Sequence, residues 1–174
     1  MSKLAETALQ PENDAQLPRI DKQLVHKRFE ENVFIAHLEP SGSEPDEFIA
    51  LLHIDPGHSF FFEHPQDHVP GLMLMEAGRQ AGTAVSHLFY GVEPDAVFVL
   101  NAVEVGFQRF AELDRPLLLK LNIADKQYRN GQLYRMTAHG EWRQEGQLLG
   151  TMKGSWSIYG RKLMARLRGL SEGH

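Results

Sequence analysis

His64-Pro65-Gln66-Asp67-His68-Val69-Pro70-Gly71-Leu72-Met73-Leu74-Met75-Glu76-Ala77-Gly78-Arg79-Gln80-Ala81-Gly82 is the most informative stretch of the chain. Two histidines in a proline-containing loop lead through Pro70-Gly71 into an apolar segment. Leu72, Met73, Ala77, Ala81, Ala84, Val85 and Leu88 recur at helical spacing, which predicts a helix from Pro70 to about Phe89. Proline suits the first turn, where its missing N–H has no acceptor to lose. Gly91 and Pro94 close the segment. The small residues Ala77, Gly78, Ala81, Gly82 and Ala84 make the helix slim enough for other backbone to approach closely, as in a helix wrapped by a sheet.

Outward from the helix, the pattern changes to strand periodicity. Asn32 to Leu38 is a candidate strand, Ser41 to Pro45 a turn, and Glu47 to Ile54 a second strand. After the helix, alternation runs through Val97 to Phe107, then Leu117 to Ile123. Tyr134, Met136, Ala138 and Trp142 alternate with polar residues, and Leu148, Met152, Trp156 and Ile158 repeat the theme. Asn130-Gly131 is a strong hairpin signal, because both central positions of a type I′ turn need positive φ. Glu145-Gly146 is a second. One central helix and a long antiparallel meander make an α+β domain, its curved antiparallel sheet wrapped around the helix.

The 174 residues, 42% of them hydrophobic, suffice for one domain with a real core. Residues 1–20 lack periodicity and read as a flexible N-terminal arm; they lack the pattern of a secretory signal. No apolar run reaches the roughly 18 residues of a membrane span. The chain has no cysteine, which removes thiolate chemistry and fits a reducing, cytoplasmic setting. A net charge of -5 argues against a nucleic-acid binder with a global basic surface. Residues 161–174 form a short basic C-terminal helix or tail with Arg161, Lys162, Arg166 and Arg168. Its better reading is a final helix packed on the domain with a solvated face, over one that docks an acidic partner or membrane.

The helix carries a polar row, Glu76, Arg79, Gln80, Thr83 and His87, at i, i+3, i+4, i+7 and i+11. Such a row can line an active cleft, with Glu76 as general acid or base and Arg79 holding a phosphate or an oxyanion. Equally, Glu76 and Arg79 can form an ion pair that only orients the helix. Gly71 opens the helix, where N–H groups and the dipole favour negative charge. His64 and His68 are candidate proton carriers or loop histidines bonded to backbone. A metal site using His58, Glu63, His64 and His68 is disfavoured by Pro65 and Pro70, so no metal is expected. Ser59, Ser86 and Ser155 lack a nucleophile-elbow context.

The pattern resembles the hotdog fold. Pro70-Gly71, four apolar residues and Glu76-Ala77 match the hotdog 3-hydroxyacyl-carrier-protein dehydratases, although the loop before them is shorter here. Asp67 to Gly71 running into Glu76-Ala77-Gly78-Arg79-Gln80 resembles the A-factor (γ-butyrolactone) biosynthesis hotdog family more specifically. The resemblance implies a hotdog domain over residues 21–160. It implies Glu76, Arg79, His68 and His64 as catalytic residues, and Gly71, Gln80, Thr83 and Asn101 as substrate-binding residues. His64 would hold the position of the dehydratase proton-abstracting histidine, Gly71 would polarise a thioester carbonyl, and Asn101 with Glu104 would line an acyl channel. The implied reaction is acyl transfer from a β-ketoacyl thioester, carried on coenzyme A or acyl carrier protein, to a small hydroxylated acceptor. Dehydration, thioester hydrolysis and non-catalytic acyl binding are the alternatives. No further cofactor is implied. Family members that make butyrolactone signals usually hold two such domains, whereas one motif stands here; a homodimer sharing its site is expected.

Overall fold

The computed structural model describes residues 18–169. The expected arm therefore falls outside the described residues over 1–17, as does the C-terminal tail over 170–174. Two 3-10 turns, Lys22–Val25 and Glu30–Asn32, precede strands β1 (Ile35–Pro40) and β2 (Glu47–Leu52). Helix α1 (Gly71–Tyr90) follows, then β3 (Val97–Phe107), β4 (Leu118–Arg129), β5 (Gln132–Gln144), β6 (Gln147–Tyr159) and helix α2 (Arg161–Leu167).

The six strands form one sheet in the order β1-β2-β4-β5-β6-β3, with every pair antiparallel. The two hairpins turn where expected. Asn130 and Gly131 have φ of 51° and 77°, and Glu145 and Gly146 have 48° and 77°, the positive pair that a type I′ turn requires. β3 follows α1 in sequence but crosses to the far edge, pairing with β6 from Val97↔Tyr159 to Phe107↔Gly150. Among the described residues, that leaves one side of β3 without a strand neighbour.

Helix α1 touches all six strands. Met73, Ala77, Ala81 and Val85 enter one core with Leu119, Leu121, Met136, Trp142, Met152 and Trp156. The helix is slim for a measurable reason. A Cβ on Gly78 would lie 2.1 Å from the Met152 sulfur, so only glycine lets that side chain lie against the helix backbone.

Two expectations are corrected. Asn32 does not begin a strand: it closes a 3-10 turn, and β1 starts at Ile35. The cause is Gln80, whose side chain takes the Asn32 carbonyl and the Phe34 amide that would otherwise extend a ladder. Leu72 shares the helical spacing but is 65% exposed, on the side away from the sheet. β3 forms as expected, and Val99, Leu100, Val103 and Phe107 are all exposed along it. Helix α2 forms with its basic residues exposed and Met164 and Ala165 half-buried. Among the described residues, no helix is long and apolar enough to cross a membrane.

Candidate active site

The polar row on α1 stays together, but chain covers it. Residues 20–34 run across the helix, and because most of that segment is neither helix nor strand, its backbone groups need partners from elsewhere. The row supplies them. Arg79 donates to the Val25 carbonyl at 3.1 Å, and Gln80 donates to the Asn32 carbonyl and accepts from the Phe34 amide, both at 2.8 Å. Gln80 is wholly buried. Thr83 is spent locally, accepting from Arg79 and donating to the Arg79 carbonyl.

Glu76 is the centre of this clamp. Its carboxylate receives Arg79 Nε and Nη2 at 2.8 Å each, Gln80 Nε2 at 3.0 Å and Lys27 Nζ at 2.8 Å. Burial alone would raise its pKa. The charge and hydrogen bonds of Arg79, with those of Lys27 and Gln80, win and hold it at about 2. In this arrangement Glu76 is a fixed anion, not a group that exchanges protons near neutrality. Arg79 is largely engaged too: Nε and Nη2 hold Glu76 and Val25, and Nη1 donates to Thr83 at 3.4 Å.

The row ends at a histidine pair. His87 Nδ1 meets the Val92 carbonyl at 2.8 Å, while its Nε2 faces His26 Nε2 at 3.0 Å. Both rings stand edge-on to Phe98. Burial, then His87 and Arg79, push the His26 pKa down, against a backbone bond to the Pro94 carbonyl.

A second cluster lies at the start of α1. The loop before the helix pairs with the chain leaving β3: His68 bridges Glu112, and the Val69 amide donates to the Ala111 carbonyl at 2.8 Å. Buried Gln144 pins this corner, accepting from the Glu112 amide and donating to the carbonyls of Glu112 and Arg115. The result is a pocket of about 320 Å³ lined by His68, Gly71, Leu74, Phe107, Arg109 and Phe110 among others. His68 Nδ1 binds Asp67 Oδ1 at 2.8 Å, and that bond to His68 holds the Asp67 carboxyl below its usual range. Its ring lies 4.7 Å from that of Phe110. Pro70 provides no side-chain cap, and the first N–H groups of a helix have no intrahelical acceptor. A Cβ on Gly71 would be 2.9 Å from the Phe107 ring, so glycine lets that half-exposed ring lie against the helix start. Arg109 is exposed and joins no ion pair among the described residues.

The predicted site residues thus divide. His68 and Gly71 share the pocket; Glu76, Arg79, Gln80 and Thr83 form the clamp one to three turns along. His64 is exposed in the loop and does not line the pocket. Asn101 is exposed on β3 and exchanges hydrogen bonds with Ser157. His58 is turned to Asn32 and to the amides of Phe60 and Phe61. Among the described residues, no three His, Asp or Glu side chains gather as metal ligands. Lys27, His26, Phe107 and Arg109 were not singled out from sequence. Lys27 and His26 sit in a segment without periodicity, and Phe107 and Arg109 reach the pocket only through long-range pairing.

A curved antiparallel sheet wrapped on one long helix, with the pocket at the helix start, defines a hotdog protein. The model of the AfsA family, the A-factor biosynthesis hotdog domain, matches residues 9–160, and the chain belongs to that family. The 2-oxo-3-(phosphooxy)propyl 3-oxoalkanoate synthase of Streptomyces virginiae is 35% identical over 88 residues, 51% of this chain and 28% of the relative. The synthase of the same name from Streptomyces coelicolor is 34% identical over 98 residues, 56% of this chain and 28% of the relative. The chain therefore matches well under a third of the length of these relatives. Among solved structures, the dehydratase heterocomplex ApeI:P from Xenorhabdus doucetiae superposes with a TM-score of 0.67 at 17% identity, covering 88% of this chain and 99% of that one. A thioesterase from Haemophilus influenzae gives 0.52 at 14% identity, covering 79% and 82%. Likeness at this level concerns the fold.

Proposed function

We propose that this protein processes acyl thioesters, transferring a β-ketoacyl group to a small hydroxylated, phosphate-bearing acceptor in the synthesis of a signal or secondary metabolite. The observation that carries this reading is the pocket at the start of α1. It joins a carboxylate-oriented histidine, His68, to uncapped helix amides at Gly71 and to the unpaired guanidinium of Arg109.

Each group has a step. Asp67 on Nδ1 leaves Nε2 of His68 to take the proton from the acceptor hydroxyl. The hydroxyl oxygen attacks the thioester carbonyl carbon, and the oxygen that gains negative charge is met by the Gly71 N–H. The C–S bond then breaks, and the sulfur leaves as a thiol after taking the proton from His68. Arg109 holds the acceptor phosphate, which its planar fork suits. The acyl group arrives on coenzyme A or acyl carrier protein, and the step needs no further cofactor. Glu76, Arg79 and Gln80 contribute by holding residues 20–34 on the helix. The lack of cysteine accords with a reducing, cytoplasmic setting.

The functional unit is a homodimer joined through β3. That strand is 11 residues long, lies at the sheet edge and exposes Val99, Leu100, Val103 and Phe107, a ready template for another strand. Antiparallel pairing of two β3 edges makes a two-fold interface and brings the second copy to the mouth of the pocket.

The test is mass spectrometry of the protein incubated with β-ketoacyl thioesters, with and without dihydroxyacetone phosphate. A phosphorylated ester that disappears in His68→Ala supports transfer. Free acid or enoyl product formed without acceptor moves the protein to the hydrolases or dehydratases. Binding without any product makes it a non-catalytic acyl carrier.

A further inference from the structure

Gln144 closes β5, immediately before the Glu145-Gly146 turn, and is 5% exposed. A buried primary amide is costly unless its polar atoms are paired. Here Oε1 accepts from the Glu112 amide at 2.9 Å, while Nε2 donates to the carbonyls of Glu112 at 2.8 Å and Arg115 at 3.0 Å. Those bonds fix which way the amide points. Turned over, its nitrogen would meet an N–H and its oxygen two carbonyls.

The bond to Glu112 reaches further than its own length. The Glu112 N–H and the Ala111 carbonyl belong to one planar trans peptide group, and they point in opposite directions. Gln144 holds the N–H end, and the Val69 amide holds the carbonyl end at 2.8 Å. Val69 follows His68, whose pairing with Glu112 joins the two loops. Rotating that rigid group weakens both bonds at once, so the hairpin side chain and the loop carrying the imidazole move together. Linked bonds of this kind also polarise one another. The same span carries Phe110, whose ring lies 4.7 Å from that of His68. Its other end is tied by the Gln108 and Arg109 amides, which both donate to the Leu149 carbonyl. Both ends of this pocket wall therefore hang on the β5–β6 hairpin.

We propose that Gln144 is a positioning residue for His68, acting through the Ala111–Glu112 peptide group on the loop that presents the imidazole to the pocket. This rests on the reading of His68 as the base that takes the acceptor proton. Gln144 does not line that pocket, and its three bonds all go to main chain. What it sets is the place of the imidazole, where a misplacement of about 1 Å costs on the order of 10²-fold in rate.

The test compares wild-type protein with Gln144→Met, which keeps the side-chain length and loses all three bonds. Amide exchange is read first, because it needs no substrate. In wild-type protein the Val69 and Glu112 amides should open together, with equal protection. In Gln144→Met both should exchange at least roughly tenfold faster, and the Ile123 amide, bonded to the Asp46 carbonyl, should not change. With a β-ketoacyl thioester and dihydroxyacetone phosphate, kcat per folded molecule should fall roughly tenfold, with KM for the thioester held within about twofold. If Gln144→Met fails to fold, the wild-type amides decide alone. Unequal protection in wild type, a Val69 amide indifferent to the substitution, or an unchanged kcat overturns the inference and leaves the pocket reading standing. Wild-type protein that forms no product overturns that reading, and this inference with it.

Discussion

Gln80 and Phe34 stand 46 residues apart, yet the Gln80 side-chain oxygen accepts the Phe34 amide at 2.8 Å in the core, and its nitrogen donates to the Asn32 carbonyl. One helix side chain thus substitutes for a strand partner at the entry to β1. Gln80→Ala should cost about 2–3 kcal/mol, because it strands two backbone groups beside a buried site. Urea denaturation measures it, and a loss within about 0.5 kcal/mol would place the stability elsewhere.

Glu76 predicts an acid dependence of stability. Its folded pKa of about 2 lies below the ordinary 4.5, so the clamp contributes fully above about 4.5 and is lost as pH falls toward 2. The contribution is about 3 kcal/mol. Wild-type protein should therefore exceed Glu76→Gln in stability at neutral pH, with the gap narrowing through that window. A gap independent of pH contradicts the clamp.

His26 acts at higher pH. Burial, His87 and Arg79 lower its pKa below 6.5, so the unfolded chain binds the proton better and folded stability falls as pH drops below that value. The groups facing it are His87, Phe98, Arg79 and the Pro94 carbonyl. Amide exchange of residues 20–34 should accelerate, relative to the sheet, as pH falls below 6.5, and His26→Gln should flatten the response.

Arg109→Ala should raise KM for a phosphorylated acceptor roughly tenfold and leave an unphosphorylated analogue unaffected. Equal effects on both acceptors would show that Arg109 holds no phosphate.

Val103→Lys places a charge on the open edge of β3. Light scattering on wild-type protein should give the mass of a dimer, and on the variant that of a monomer. A monomeric wild type contradicts the edge-paired assembly.

The helix, both hairpins and the later strands were legible because each is written locally, in 3.6-residue spacing, Asn130-Gly131, Glu145-Gly146 and strict alternation. The grouping of Glu76, Arg79, Gln80 and Thr83 was legible for the same reason. What faces them was not. Residues 20–34 have no period, and their course is set by Gln80 and Arg79 taking backbone groups far away in sequence. The pocket was half legible. His68 and Gly71 announce themselves, but Phe107 and Arg109 join them only because the chain after β3 pairs with the loop before α1.

The crossing of β3 to the sheet edge also bears on how the chain is made. Among the described residues its one strand partner, β6, is the last strand of the sheet in chain order, so β3 leaves the ribosome before that partner and waits until Tyr159 has followed. During that interval an apolar strand is open on both sides, and neighbouring nascent chains on one message each carry the same segment. The edge that suits two finished copies for each other is thus, earlier, the place where unfinished copies are most prone to stick.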